Sequence, residues 1–223
     1  MKGLLVKDIC IILQQKKFFG LVLLLSVFLN STDSPMFSVS YLTFVCSFFV
    51  ISSIAYDEAD NGYRFLFTLP VRRESYVGAK YILAVFTVLL SWLLGYLIAL
   101  ACCFAKNQLA LMQTGMGEEC IILLLILLFM AIMLPVQFKF GSEKGRFVMA
   151  FIFCGCALLG FLVCEMAKQP GQWEKVWEQI ANLQDWLVKQ PKGALVSAAG
   201  AGTVIILGIS YWISVAVMRR KEF

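Results

Sequence analysis

Six apolar stretches, separated by polar segments of uneven length, organise this chain: residues 18–32, 36–55, 81–105, 120–138, 147–164 and 194–218. A membrane crossing takes about 20 apolar residues rising 1.5 Å each. Each stretch therefore predicts a transmembrane helix. The first is short, and its 15 residues reach only about 22 Å. Lys16 and Lys17 at its start can snorkel, or the bilayer can thin around it. Asp33 and Pro35 close a tight turn into the second stretch, so these two form a hairpin. Pro135, late in the fourth stretch, predicts a kink there.

Two further segments have the pattern of helices lying along a membrane surface. In residues 1–17, Leu4, Leu5, Ile9, Ile12 and Leu13 share a side, and Lys2, Lys7, Gln14 and Gln15 fall largely elsewhere. This is an inner-surface helix feeding the first span. Its alternative is a ragged extension of that span. In residues 173–187, Trp173, Val176, Trp177, Ile180, Leu183 and Leu187 recur at helical spacing among charged positions. This predicts an outer amphipathic helix within the extracellular segment 168–193, with Trp at headgroup level. The same pattern also fits a lid packed on its own spans.

Composition agrees with a membrane protein. The chain is 61% hydrophobic and 15% charged, with mean hydropathy +0.83, where soluble domains carry roughly 25% charged residues. With the N-terminus inside, fourteen basic residues fall on inner segments and five on outer ones. Cytoplasmic loops favour Lys and Arg, so both termini are expected in the cytoplasm. The net charge of +5 then reflects topology rather than affinity for nucleic acid. The start has no basic-then-apolar order leading to a small-residue cleavage site, so no cleavable signal is expected.

The sequence excludes several chemistries. It holds no histidine, which removes Ser-His-Asp and Cys-His catalysis and HExxH zinc sites. It has no phosphate-binding loop for hydrolysing ATP. Most of its eight cysteines lie in apolar runs as small buried thiols, and no metal site is expected. The small residues around Gly200 to Gly202 fit close helix packing. Polar groups near the spans are few. Glu165 at the outer end of the fifth span, Gln137 beside Pro135, and Trp177 on the outer helix are weak candidates for a substrate path.

The segment 56–81, YDEADNGYRFLFTLPVRRESYVGAKY, carries the main signal. It is the long charged insert between the second and third spans. Asp57 or Asp60 can cap a short helix over residues 61–67, Pro70 breaks it, and a second helix restarts from Val71 into the third span. Short rigid helices on the cytoplasmic face can take force from a soluble partner. The plainer alternative is a loop held inside by its charge alone.

Asp57-Glu58, Tyr63, Thr68-Leu69-Pro70-Val71, Arg73, Tyr76-Val77 and Lys80-Tyr81 resemble the signature of type-two ABC exporter permeases. The likeness is closest to the six-span group containing the phenol-soluble-modulin exporter permeases. The opening Met1 to Asp8 resembles that group's usual start. Thr68 and Arg72 stand where the group has Ser. The resemblance implies an all-α permease in the plasma membrane, with no cofactor of its own. It implies a homodimer or a pairing with a sister permease, and a separate ATPase that binds ATP and Mg. The loop would be the coupling region, with Asp57, Glu58, Tyr63, Leu69, Pro70, Arg72, Arg73, Tyr76 and Lys80 as its ATPase-coupling residues. The exported substrate would be an amphipathic peptide or another hydrophobic molecule. The competing reading is a non-transporting immunity or regulatory subunit that docks a soluble partner through the same loop.

Overall fold

The computed structural model describes residues 2–30, 35–59, 62–63, 68, 72–106, 109–167 and 192–221. The described elements are helices: α1 (Lys2–Gln14), α2 (Lys16–Leu29), α3 (Pro35–Glu58), α4 (Arg73–Ala105), α5 (Leu109–Ala167) and α6 (Lys192–Arg220). Helices satisfy every backbone group internally, which the hydrocarbon core of a membrane requires. Four of them contain stretches long and apolar enough to cross: Phe37–Glu58, Arg73–Ala105, Glu119–Gly141 and Val196–Arg220. A bent pair, Gly3–Ile11 and Lys16–Leu29, meets at 68° and makes a fifth if it is one span. Stretches 36–55, 81–105, 120–138 and 194–218 thus match crossing helices. The predicted span 147–164 is helical but is not among these candidates, and Phe151, Leu159 and Phe161 along it are exposed. The predicted outer helix 173–187, with Trp177, lies outside the described residues.

The core forms where α3, α4, α5 and α6 meet. Val50 and Ile54 of α3, Val77 and Val88 of α4, Met130 and Leu134 of α5, and Met218 of α6 are buried together. In lipid such packing depends on close contact rather than on expelling water. Gly95 shows the closeness: a Cβ there would stand 3.1 Å from the Val39 Cα of α3.

The break in α5 comes at Gly141, not at Pro135. Gly141 has φ 77° and ψ −179°, a combination open essentially to glycine alone. A side chain there would also collide with the Glu58 carboxylate. Pro135 stays within the helix. Its missing N–H leaves the carbonyl four residues back, at Ala131, without its helical donor. The Ser210 hydroxyl of α6 donates to that carbonyl instead.

α1 differs from its predicted pattern. Leu4 and Leu5 pack against the core, but Ile9 and Leu13 are exposed and Asp8 is 1% exposed. The helix turns a carboxylate inward between α3 and α4, for a reason that lies far along the chain.

Candidate functional site

Lys80 is that reason. It lies two turns into α4 and is fully buried. Its ammonium sits 2.8 Å from Asp8 Oδ1 of α1, 2.6 Å from Ser53 Oγ and 2.8 Å from Asp57 Oδ2 of α3. Ser53 in turn donates to Asp8 Oδ1 at 2.9 Å. Tyr76, one turn before Lys80, donates to Asp57 Oδ2 at 2.9 Å. Lys7 of α1 donates to the other oxygen, Asp57 Oδ1. Two cations and two anions thus share one pocket, with each carboxylate holding more than one donor. Burying a charge costs several kcal/mol unless it is paired and hydrogen-bonded. This arrangement supplies both, and it ties three helices at one point.

A second group clasps the end of α6. The C-terminal carbonyls of a helix lack intrahelical donors. The Arg73 guanidinium lies 3.0 Å from the Met218 carbonyl and 2.9 Å from those of Arg219 and Lys221. A cation there also favours the negative end of the helix dipole. Lys221 returns the contact. Its ammonium is 3.7 Å from Glu58, 3.3 Å from the Phe138 carbonyl and 5.4 Å from the centre of the Tyr63 ring. The Tyr63 ring is buried and meets Tyr76 edge-on at 5.9 Å. Burial pushes the Tyr63 phenol up from its ordinary range, and the Glu58 and Asp57 carboxylates add to this against a hydrogen bond with Tyr76. The phenol is therefore a neutral partner near neutral pH.

A third set faces outward. Arg72 stands at the N-cap of α4 with extended backbone and an exposed side chain. Glu74 in the first turn pairs with Arg219, both about half exposed or more. Such exposed pairs contribute about 1 kcal/mol or less.

The predicted residues therefore divide. Asp57, Tyr76 and Lys80 hold the base of the loop from inside. Glu58, Tyr63 and Arg73 clasp α6. Arg72 remains at the surface. Leu69 and Pro70 lie outside the described residues. The Asp57 carboxylate is held in the cluster, whereas the sequence offered Asp57 or Asp60 as the cap of a short helix over residues 61–67; Asp60 and residues 61 and 64–67 lie outside the described residues. Lys7, Asp8 and Ser53 were missed by the sequence reading. The available signal was Asp8 itself, the lone carboxylate in the first 32 residues.

Of the proposed substrate-path residues, Gln137 and Glu165 lie on α5, and Trp177 lies outside the described residues. Gln137 is buried near the break in α5, where a Cβ on Gly145 would strike its side chain. Glu165 is exposed near the far end of α5. A different carboxylate is buried at the start of the third crossing stretch. Glu119 is 1% exposed and accepts from Ser40 Oγ of α3 at 3.1 Å.

Residues 3–219 match the model of a family described as ABC-2 family transporter protein. No curated protein and no solved structure matches the chain.

Proposed function

Because this chain belongs to the ABC-2 family of transporter proteins, and so has the role of a multi-pass transport permease, we propose that it is the membrane subunit of an ATP-driven exporter. In this reading it resembles the phenol-soluble-modulin exporter group most. It lies in the plasma membrane with six spans and both termini cytoplasmic, the short first span 18–32 and residues 147–164 supplying the two least regular crossings. It pairs with a second permease, a copy of itself or a sister chain. A separate ATPase, binding ATP and Mg, docks on the loop 56–80. The cargo is an amphipathic peptide or another hydrophobic molecule.

One observation supports this reading above the others. The base of the charged loop is joined rigidly to the spans on both its sides and to α1, through Lys80, Asp8, Ser53 and Asp57. A loop that served only to keep its charges inside would need no anchor of buried Lys80, Asp8 and Asp57 with the partly exposed Lys7, which is costly to form. A loop that transmits displacement needs such an anchor. The outward surface at Arg72 is left for the partner.

The test is a photocrosslinker at Thr68 in cells, with and without Arg72→Glu. Capture of a chain that carries a phosphate-binding loop and hydrolyses ATP, reduced about tenfold or more by Arg72→Glu, is expected from charge reversal at a desolvated contact. Failure to capture any ATPase, together with unchanged export in Arg72→Glu, would overturn the coupling role.

A further inference from the structure

Beside the elbow where α1 meets α2 there is a cavity of about 350 Å³, lined by Gln15, Phe18, Val45, Phe48, Phe49 and Ser52. Its walls are set by ring contacts: Phe18 lies edge-on to Phe49 at 5.6 Å, and Phe19 stacks on Phe49 at 4.3 Å. The lining is graded along α3. Ser52 lies one turn before Tyr56, whose hydroxyl accepts from Gln15 Nε2 at 3.1 Å. Phe49 and Phe48 come next, and Val45 is about 10 Å deeper than Ser52 at 1.5 Å per residue. One end is therefore polar and the other wholly apolar.

The charge near the polar end has one sign. Lys16 and Lys17 fall between the lining residues Gln15 and Phe18, and both are exposed. α2 has no carboxylate, and α3 has none before Asp57, which is already held by Lys7 and Lys80. A volume near the low end of the roughly 300–1,000 Å³ of small-molecule sites suits one acyl chain better than a folded peptide.

We propose that this groove binds one anionic phospholipid, its acyl chain against Phe18, Val45, Phe48 and Phe49 and its phosphate at Gln15, Lys16 and Lys17. The site needs a membrane around the elbow and does not depend on the export reading. An occupied groove braces the elbow that carries Lys7 and Asp8 to the buried charge cluster.

The experiment uses the full chain in vesicles of equimolar phosphatidylcholine and phosphatidylglycerol. The chain is then extracted in mild detergent and the retained lipid is measured by native mass spectrometry. Phosphatidylglycerol should be retained in preference. Lys16→Gln with Lys17→Gln should cut that preference at least tenfold, since each surface lysine contributes roughly fivefold for anionic lipid. Val45→Trp should remove the retained lipid of both kinds while circular dichroism still shows the helices. If Val45→Trp fails to fold, the lysine pair alone decides. Equal retention of the two lipids, or a preference untouched by the lysine substitutions, overturns the proposal. So does one-for-one displacement of the lipid by an amphipathic helical peptide, which would make the groove an entry for cargo. None of these outcomes alters capture of an ATPase at Thr68, so the two readings fail separately.

Discussion

Two adjacent residues of α4 anchor the two sides of the molecule in different ways. Lys80 faces α1 and α3 and is held by charge. Tyr81 faces α6, where its hydroxyl lies 2.6 Å from Ser210 Oγ and 2.8 Å from Ser214 Oγ, and Ser210 passes the chain of bonds to the Ala131 carbonyl of α5. The first anchor is ionic and joins the N-terminal half. The second is neutral and repairs a backbone defect left by Pro135. They also differ in how they fail. Removing one member of a buried ion cluster leaves a charge uncompensated and costs about 3–5 kcal/mol. Removing one hydroxyl from a neutral chain costs about 1–3 kcal/mol at most, because the remaining groups carry no net charge.

Lys80→Met should therefore be the most damaging change. It leaves Asp8 and Asp57 buried with Lys7 as their remaining cation, and a loss of about 3–5 kcal/mol is expected. The measurement is thermal unfolding of the purified full chain, with steady-state abundance in the membrane as a second readout. A melting temperature within error of the parent would show that the ionic anchor carries no stability. The contrast sharpens in a cycle: Asp8→Leu added to Lys80→Met should recover stability, with a coupling of about 0.5–3 kcal/mol. Strict additivity would mean that the two side chains do not share one site.

Gly141→Ala comes next, at about 1–3 kcal/mol for the positive φ with a further penalty from the Glu58 carboxylate. Glu58→Ala in the same chain should return the second part only. Tyr81→Phe should cost about 1 kcal/mol, as for an ordinary buried hydrogen bond. A loss matching that of Lys80→Met would erase the distinction between the anchors. Glu74→Gln is expected to change stability by less than about 1 kcal/mol, because its pair with Arg219 is exposed. It sets the floor for the series.

The sequence made the ionic anchor half visible. Asp57, Tyr76 and Lys80 fall within one charged segment, so grouping them needed no tertiary information. Asp8 could not be reached the same way. Helical periodicity on α1 assigns inside and outside by apolar content, and a carboxylate that is inside because of a partner 72 residues away has the wrong sign for that rule. The same limit explains the break in α5. Pro135 announces a kink by its chemistry, but the Ala131 carbonyl left without a donor is bonded by Ser210, 79 residues beyond Ala131. Gly141 lies in the charged segment between the fourth and fifth predicted spans, so an interruption there was legible from hydropathy, but its conformation against the Glu58 carboxylate was not. The broad all-helical membrane architecture was legible because hydropathy is local. In span 147–164 the predicted helix is present and turns Phe151, Leu159 and Phe161 outward, as Leu97 and Phe104 are turned outward on α4.

The back-to-back placement of Lys80 and Tyr81 limits how α4 can move. Neighbouring residues of a helix are about 100° apart around its axis, so the two grips pull in different directions. Spinning the rod in either sense would tear one of them open. Leaning it would not, since the helices gripped on each side could lean with it. Arg73, clamped to the last carbonyls of α6 seven residues earlier, adds a third fixed point nearer the tip. In the proposed exporter, a push on the loop would thus reach the far end of this rod, about 50 Å long for 33 residues, as a pivot about the end that carries the loop. The rod works as a lever and not as a drive shaft.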